Sequence, residues 1–198
     1  MICAVLLAGG RSRRMGRNKA FLELNGHSLF DIQLSKLCSM NLDEILISGD
    51  PEVLQSAVED YGRDARIRII PDVIAGKGPL GGMYSCFVNT GCTSSLVLCT
   101  DTPLIETDTL NRIISHHLEY KEDATVLTAA SHIEPLIAAY RTDTAPLIKE
   151  LLNSERLSVS SLLDRIDTYQ LEFDGNPSEL LNCNTQEDYR LLLKSFRS

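Results

Sequence analysis

A chain of 198 residues, 43% hydrophobic and 23% charged, can bury a core without disulfide or metal staples, and has neither the polarity of a disordered chain nor the apolar bias of a membrane protein. Its net charge of -8 and pI near 5.0 argue against general nucleic-acid binding, which needs basic residues to displace counterions from phosphates. No apolar stretch approaches the ~20 residues of a membrane span. The six cysteines form no C-x-x-C pair and read as small buried hydrophobes, not as zinc ligands or a disulfide framework.

Short β-branched runs alternate with segments of helical periodicity. This predicts one α/β domain over residues 1–198, a Rossmann-like three-layer αβα arrangement with a mostly parallel central sheet. The first strand is expected at Ile2–Leu7; it lacks the basic flank of a signal peptide, so a cytoplasmic protein is expected. Leu29, Ile32, Leu34, Leu37 and Met40 mark a helix, Glu44–Ser48 a strand, and Pro51 with Val53, Leu54 and Val58 a second helix. Strands at Arg66–Ile70 and Ser95–Cys99 flank a helix running from Met83 through Val88. Thr107 is placed to cap a helix carrying Leu110, Ile113, Ile114 and Leu118, and the last strand is expected at Ala124–Ala130. The less regular stretch from Asn153 to Leu180 reads as an insertion, and Thr185 as the cap of a final helix through Tyr189, Leu192 and Leu193.

One segment carries the densest chemistry. Leu7-Ala8-Gly9-Gly10 ends the first strand, where open α/β sheets bind ligands, and runs into Arg11-Ser12-Arg13-Arg14-Met15-Gly16-Arg17-Asn18-Lys19. Adjacent glycines let backbone N–H groups approach a phosphate closely, while Arg14 and Lys19 supply charge-assisted bonds to its oxygens. The segment is neither G-x-x-x-x-G-K-[ST] nor G-x-G-x-x-G, so the P-loop and dinucleotide fingerprints are not met. Asp101 follows a predicted strand and should emerge at the same sheet edge, where a hard carboxylate oxygen suits Mg²⁺. The histidines suggest no catalysis: His116 and His117 fall on a polar helix end, His27 in a turn, and His132 stands alone. No Ser-His-Asp or Cys-His pattern is visible.

The glycine-rich segment resembles the loop L-A-G-G-x-S-x-R-M-G-x-x-K of the MobA-like molybdenum cofactor guanylyltransferases, within the nucleotide-sugar pyrophosphorylase superfamily. Further features of that family recur in order: Ile70-Pro71-Asp72, Gly78-Pro79-Leu80-Gly81-Gly82, Cys99-Thr100-Asp101-Thr102-Pro103, Glu134-Pro135-Leu136 through Tyr140-Arg141, and Asn182-Cys183-Asn184-Thr185.

The resemblance implies a fold of the nucleotide-diphospho-sugar transferase type and transfer of GMP from GTP to the phosphate of a molybdenum-bearing molybdopterin, with release of pyrophosphate. It implies Mg²⁺ held by Asp101 with help from Asn184, and catalytic roles for Arg14, Lys19 and Asp101. Nucleotide contacts are implied at Leu7, Ala8, Gly9, Gly10, Lys19, Asp50, Asp72, Gly78, Pro79, Leu80 and Asp101, with Asp72 accepting from guanine N1–H and N2–H₂. Asp50 stands near a position where the family commonly has asparagine. It has two readings, a second carboxylate at the guanine edge or a solvent-facing residue at the start of the Pro51 helix. Transient contact with other molybdenum-cofactor proteins is expected, and contact with nucleic acid or membrane is not. Rival readings are transfer from another nucleotide such as CTP, another phosphorylated acceptor, and a nucleotide-binding regulator without turnover.

Overall fold

The protein is described here by a computed structural model covering residues 1–9, 19–62, 64–74 and 76–195. Gly10 and Arg14, two of the residues expected at the phosphate site, lie outside the described residues.

Ile2–Leu7 forms β1, with every residue buried, as befits a central strand covered on both faces. A two-residue hairpin, β2 (Glu23–Leu24) and β3 (His27–Ser28), leads into α1 (Leu29–Ser39). Ser28 and Asp31 form a reciprocal capping box at the start of α1. The chain continues through β4 (Glu44–Ser48), α2 (Pro51–Val58), β5 (Ile67–Ile70), α3 (Gly78–Phe87), β6 (Ser94–Cys99) and α4 (Thr107–Tyr120). It then forms the hairpin β7 (Ala124–Ala129) and β8 (His132–Arg141), followed by α5 (Ala145–Asn153), α6 (Val159–Leu163), β9 (Thr168–Glu172) and α7 (Gln186–Ser195).

Seven strands make one sheet in the order β5-β4-β1-β6-β8-β7-β9. Only β8 runs antiparallel to its neighbours, so the sheet is mostly parallel, as expected. Alternation along β1 sorts the core: Ala4 and Leu6 pack with Phe30, Leu34, Leu54, Leu110 and Ile113 from α1, α2 and α4. Cys3, Val5 and Leu7 pack on the opposite face with Leu80, Met83, Ile148 and Leu151 from α3 and α5. The result is the expected helix–sheet–helix layering. No helix of the described residues is long and apolar enough to cross a membrane.

Four expectations need correction. The stretch from Asn153 to Leu180 is not an insertion; it contributes α6 and the sheet strand β9, which pairs in parallel with β7. Gly78-Pro79-Leu80 is the first turn of α3, which therefore begins five residues before Met83. The cap of α4 is not Thr107, which is already helical; Glu106 takes the cap position without a capping side chain of its own. The buried Glu179 carboxylate serves there instead, accepting from Glu106 N at 3.0 Å and from Thr109 Oγ1 at 2.9 Å. Finally, His117 is not on a polar surface: it is 1% exposed, and burial lowers its pKa.

Candidate active site

The carboxyl ends of β1, β4 and β5 are tied together by backbone bonds, Ala8 N to Ser48 O at 3.1 Å and Gly49 N to Ile70 O at 3.3 Å. Leu7, Ala8 and Gly9 therefore lie alongside Ser48, Gly49 and the start of the Pro71-Asp72 segment. Gly82 of α3 packs against the same strands so closely that an added Cβ would sit 2.5 Å from Ser48 Oγ and 2.8 Å from Leu7 Cδ2. This contact seats the amino end of α3 on the sheet. Gly78 opens that helix at φ +63°, a conformation that costs a glycine little. Lys77, at its cap position, makes no capping side-chain bond, so the positive end of the helix dipole, seated near the carboxyl ends of β1 and β4 through Gly82, is a natural setting for an anion.

Asp72 is exposed at this edge, and Ser48 Oγ donates to its Oδ1 at 3.0 Å. Asp50 caps α2: its Oδ1 accepts from Glu52 N at 3.0 Å, with Pro51 in the first turn. The geometry thus gives Asp50 a structural task at the helix start and gives one oxygen of Asp72 a partner in Ser48.

The other half of the site is drawn from three distant segments. Lys19 Nζ donates to Asp101 Oδ2 at 2.9 Å and to Asn184 Oδ1 at 2.6 Å. Asp101 follows β6, and its backbone carbonyl accepts from Cys183 N at 2.8 Å, which brings Asn184 alongside. Asn184 is held in turn by Asp188, whose Oδ2 accepts from the N–H groups of Asn184 and Thr185 at 2.9 and 2.8 Å. Thr185 Oγ1 accepts from Asp188 N, so Thr185 caps α7 as expected. The remaining Asp101 oxygen, Oδ1, accepts from the Cys99 thiol; burial first, and the Asp101 charge second, push that thiol's pKa up.

Glu134 joins this edge too. Beyond the last pair, Leu98 with Ile137, the antiparallel register carries β8 back toward Glu134 on the Asp101 side. Burial, then the Asp101 charge, raise the Glu134 pKa. The pairing of β8 with β7 slips here, from Val126–Ala138 to Leu127–Glu134, a bulge of the kind that re-aims side chains beside sites. In the sequence Glu134 was visible only as the first residue of Glu-Pro-Leu.

Two hard oxygens, Asp101 Oδ2 and Asn184 Oδ1, converge on one cation, the Lys19 ammonium. Among the described residues no group of three or more His, Cys, Asp or Glu could hold a metal. The protein thus offers a two-oxygen donor set, which suits an ion such as Mg²⁺ that completes its shell with phosphates and water.

Gly9, the amino end of α3 and the Asp101–Asn184 pair thus come together at one edge of a mostly parallel sheet, an arrangement that fits a nucleotidyltransferase. Residues 4–169 match the MobA-like NTP transferase domain, and the chain belongs to that family of nucleotidyltransferases. A Bacillus subtilis relative named "Probable molybdenum cofactor guanylyltransferase" is 33% identical over 197 residues, covering 95% of this chain and 92% of the relative. One of the same name from Bacillus licheniformis is 32% identical over 188 residues, covering 93% and 92%. Among solved structures, molybdopterin-guanine dinucleotide biosynthesis protein A from Archaeoglobus fulgidus superposes with a TM-score of 0.84 at 22% identity, covering 100% of this chain and 99% of the other. A Mycobacterium tuberculosis protein solved in complex with manganese shares the fold, with a TM-score of 0.73 at 19% identity, covering 98% and 97%.

Proposed function

We propose that this protein transfers GMP from GTP to the terminal phosphate of a molybdopterin-type acceptor in the cytoplasm, with Mg²⁺ as its cofactor. The observation that carries the reading is the convergence of Lys19, Asp101 and Asn184 at the edge that also presents Gly9, Asp72 and the start of α3. The names of the Bacillus relatives support the acceptor and the base.

In this reading the triphosphate lies across the strand ends, against the amides of Gly9, Gly10 and the first turn of α3. Arg14 and Lys19 neutralise charge building on the departing pyrophosphate. Asp101 and Asn184 hold Mg²⁺, which when bound supplies charge neutralisation and orientation to the phosphate oxygens. An acceptor phosphate oxygen forms a bond to the α-phosphorus as the bond to pyrophosphate breaks. A phosphate monoester has a second pKa of about 6, so the nucleophile is largely dianionic at neutral pH and no general base is required. Asp72 selects guanine by accepting from N1–H and N2–H₂. Transient contact with other molybdenum-cofactor proteins would deliver the acceptor and take the product.

Pyrophosphate release measured with GTP, CTP, UTP and ATP, each with molybdopterin-bearing acceptor and Mg²⁺, tests this reading. Release with GTP well above the other three is expected. Preference for CTP would overturn the guanylyl assignment while leaving nucleotidyl transfer in place, and no release with any nucleotide would favour a binding protein.

A further inference from the structure

Gln33 lies on the buried face of α1, among Phe30, Leu34 and Leu37, and is 0% exposed. A buried amide must spend its donors and acceptor inside the protein. Gln33 spends both donor bonds on one loop: its Nε2 donates to Cys99 O at 3.1 Å and to Thr102 O at 2.8 Å. Those carbonyls flank Asp101, two residues before it and one after. Its Oε1 accepts from Lys36 Nζ at 3.0 Å, and the same ammonium donates to Pro103 O. Lys36 in turn faces the carboxylates of Glu106 and Glu179, and burial outweighs their pull to lower its pKa to about 8.

Four backbone carbonyls around the metal-binding aspartate are therefore held by groups from elsewhere in the chain: those of Cys99 and Thr102 by Gln33, that of Pro103 by Lys36, and that of Asp101 itself by Cys183 N. Burial of a polar side chain in an otherwise apolar helix face is costly unless its bonds are good. Here those bonds converge on the backbone that carries Asp101.

We infer that Gln33, braced by Lys36, is a positioning residue that sets where the Asp101 carboxylate sits relative to Lys19 and Asn184, and thereby tunes metal use in nucleotidyl transfer. The inference rests on the proposed role of Asp101. Groups that orient a metal ligand typically matter ten- to a hundredfold in metal affinity or activity when removed, and displacement of a reacting group by about 1 Å can cost ~100-fold in rate.

Gln33→Met keeps the length and volume of the side chain and deletes its polar bonds; Gln33→Glu keeps the acceptor for Lys36 and replaces the two donor bonds with a charge facing two carbonyls. In either variant kcat should fall roughly 10–100-fold and the half-saturating Mg²⁺ concentration should rise about tenfold, with the KM for GTP at saturating Mg²⁺ changing less than about threefold. A purely structural role would lower thermal stability while leaving kcat and the Mg²⁺ curve of the folded fraction unmoved, and that result would overturn the inference. A crystal structure of Gln33→Met, or of Gln33→Glu should the first not fold, gives a readout that needs no turnover. The Asp101 carboxylate should shift away from Lys19 and Asn184 by about 1 Å or more; an unmoved carboxylate would overturn the inference. Should the wild-type protein release no pyrophosphate from any nucleotide, the proposed reaction fails, and the crystallographic comparison alone decides the positioning role.

Discussion

Lys19→Met should push metal binding and catalysis in opposite directions. In the free protein the Lys19 ammonium occupies the place between Asp101 and Asn184 that a metal would share, at 2.9 and 2.6 Å from their oxygens. The Coulomb attraction to Asp101 at 2.9 Å is about 1.4 kcal/mol in water-like surroundings and about 6 kcal/mol at an effective dielectric of ~20. The two side chains are 15% and 23% exposed, so screening and the entropy of holding the pair should leave a net ~1–2 kcal/mol. A metal must displace that interaction, so its removal should tighten Mn²⁺ binding to the nucleotide-free protein by roughly 5–30-fold. Turnover should move the other way, falling roughly 100–1000-fold, because in the proposed reaction the ammonium is then missing where charge develops on pyrophosphate. Electron paramagnetic resonance of free Mn²⁺ measures the first quantity, and single-turnover pyrophosphate release the second. Weaker Mn²⁺ binding together with an unchanged rate would refute the reasoning.

Asp101→Asn should lower Mg²⁺-dependent turnover at least ~100-fold with little loss of thermal stability, since the carboxylate is only partly buried; near-normal turnover would remove Asp101 from the metal site. Asp72→Asn should cost GTP binding roughly 1–3 kcal/mol and narrow its margin over CTP, while Asp50→Asn, which preserves a capping oxygen, should leave the margin intact; competition binding distinguishes the two. Lys36 makes stability depend on alkaline pH. Its pKa falls from 10.5 to about 8 on folding, so between those values the unfolded chain holds a proton that the folded chain has released, and stability rises with pH. Urea unfolding should show wild type gaining roughly 2–3 kcal/mol on Lys36→Met between pH 7 and 10; a constant difference would contradict it. His117 works at the acid end. Its folded pKa is lowered from 6.5, so stability should fall as pH drops below 6.5, and His117→Leu should flatten that slope in the same assay.

The parallel half of the sheet was legible because its strands are continuous apolar runs: Ile2–Leu7, Glu44–Ser48 and Ser95–Cys99 fall within one residue of β1, β4 and β6. The antiparallel strand was not. β8 carries Pro135 and Glu134 in a bulge, and its hairpin turns through Ala130 and Ser131 at φ 48° and 67°, where the usual signal would be Asn or Gly. β9 escaped because Tyr-Gln-Leu on a sheet edge shows no apolar run to read. At the site, Lys19, Asp101 and Asn184 were each singled out, and the structure brings them together. Glu134 and Gln33 were not assigned roles. A glutamine on an amphipathic helix reads as surface until the fold shows which carbonyls lie beneath it, and His117 escaped for the same reason.

The Lys19 contacts span 82 and 165 positions along the chain, and that separation sets an order of assembly during synthesis. At about 5–20 residues per second, roughly ten to thirty seconds pass between translation of the glycine turn and translation of Asn184. Throughout that interval the nascent chain carries the glycine-rich segment and Lys19 without the Asn184 amide that completes the proposed cation site. A chain released early, or cleaved between Asp101 and Asn184 with loss of the second piece, would retain Lys19 and Asp101 without the Asn184 oxygen that meets them. Competence is therefore conferred late, when the segment around Cys183 closes onto the Asp101 carbonyl.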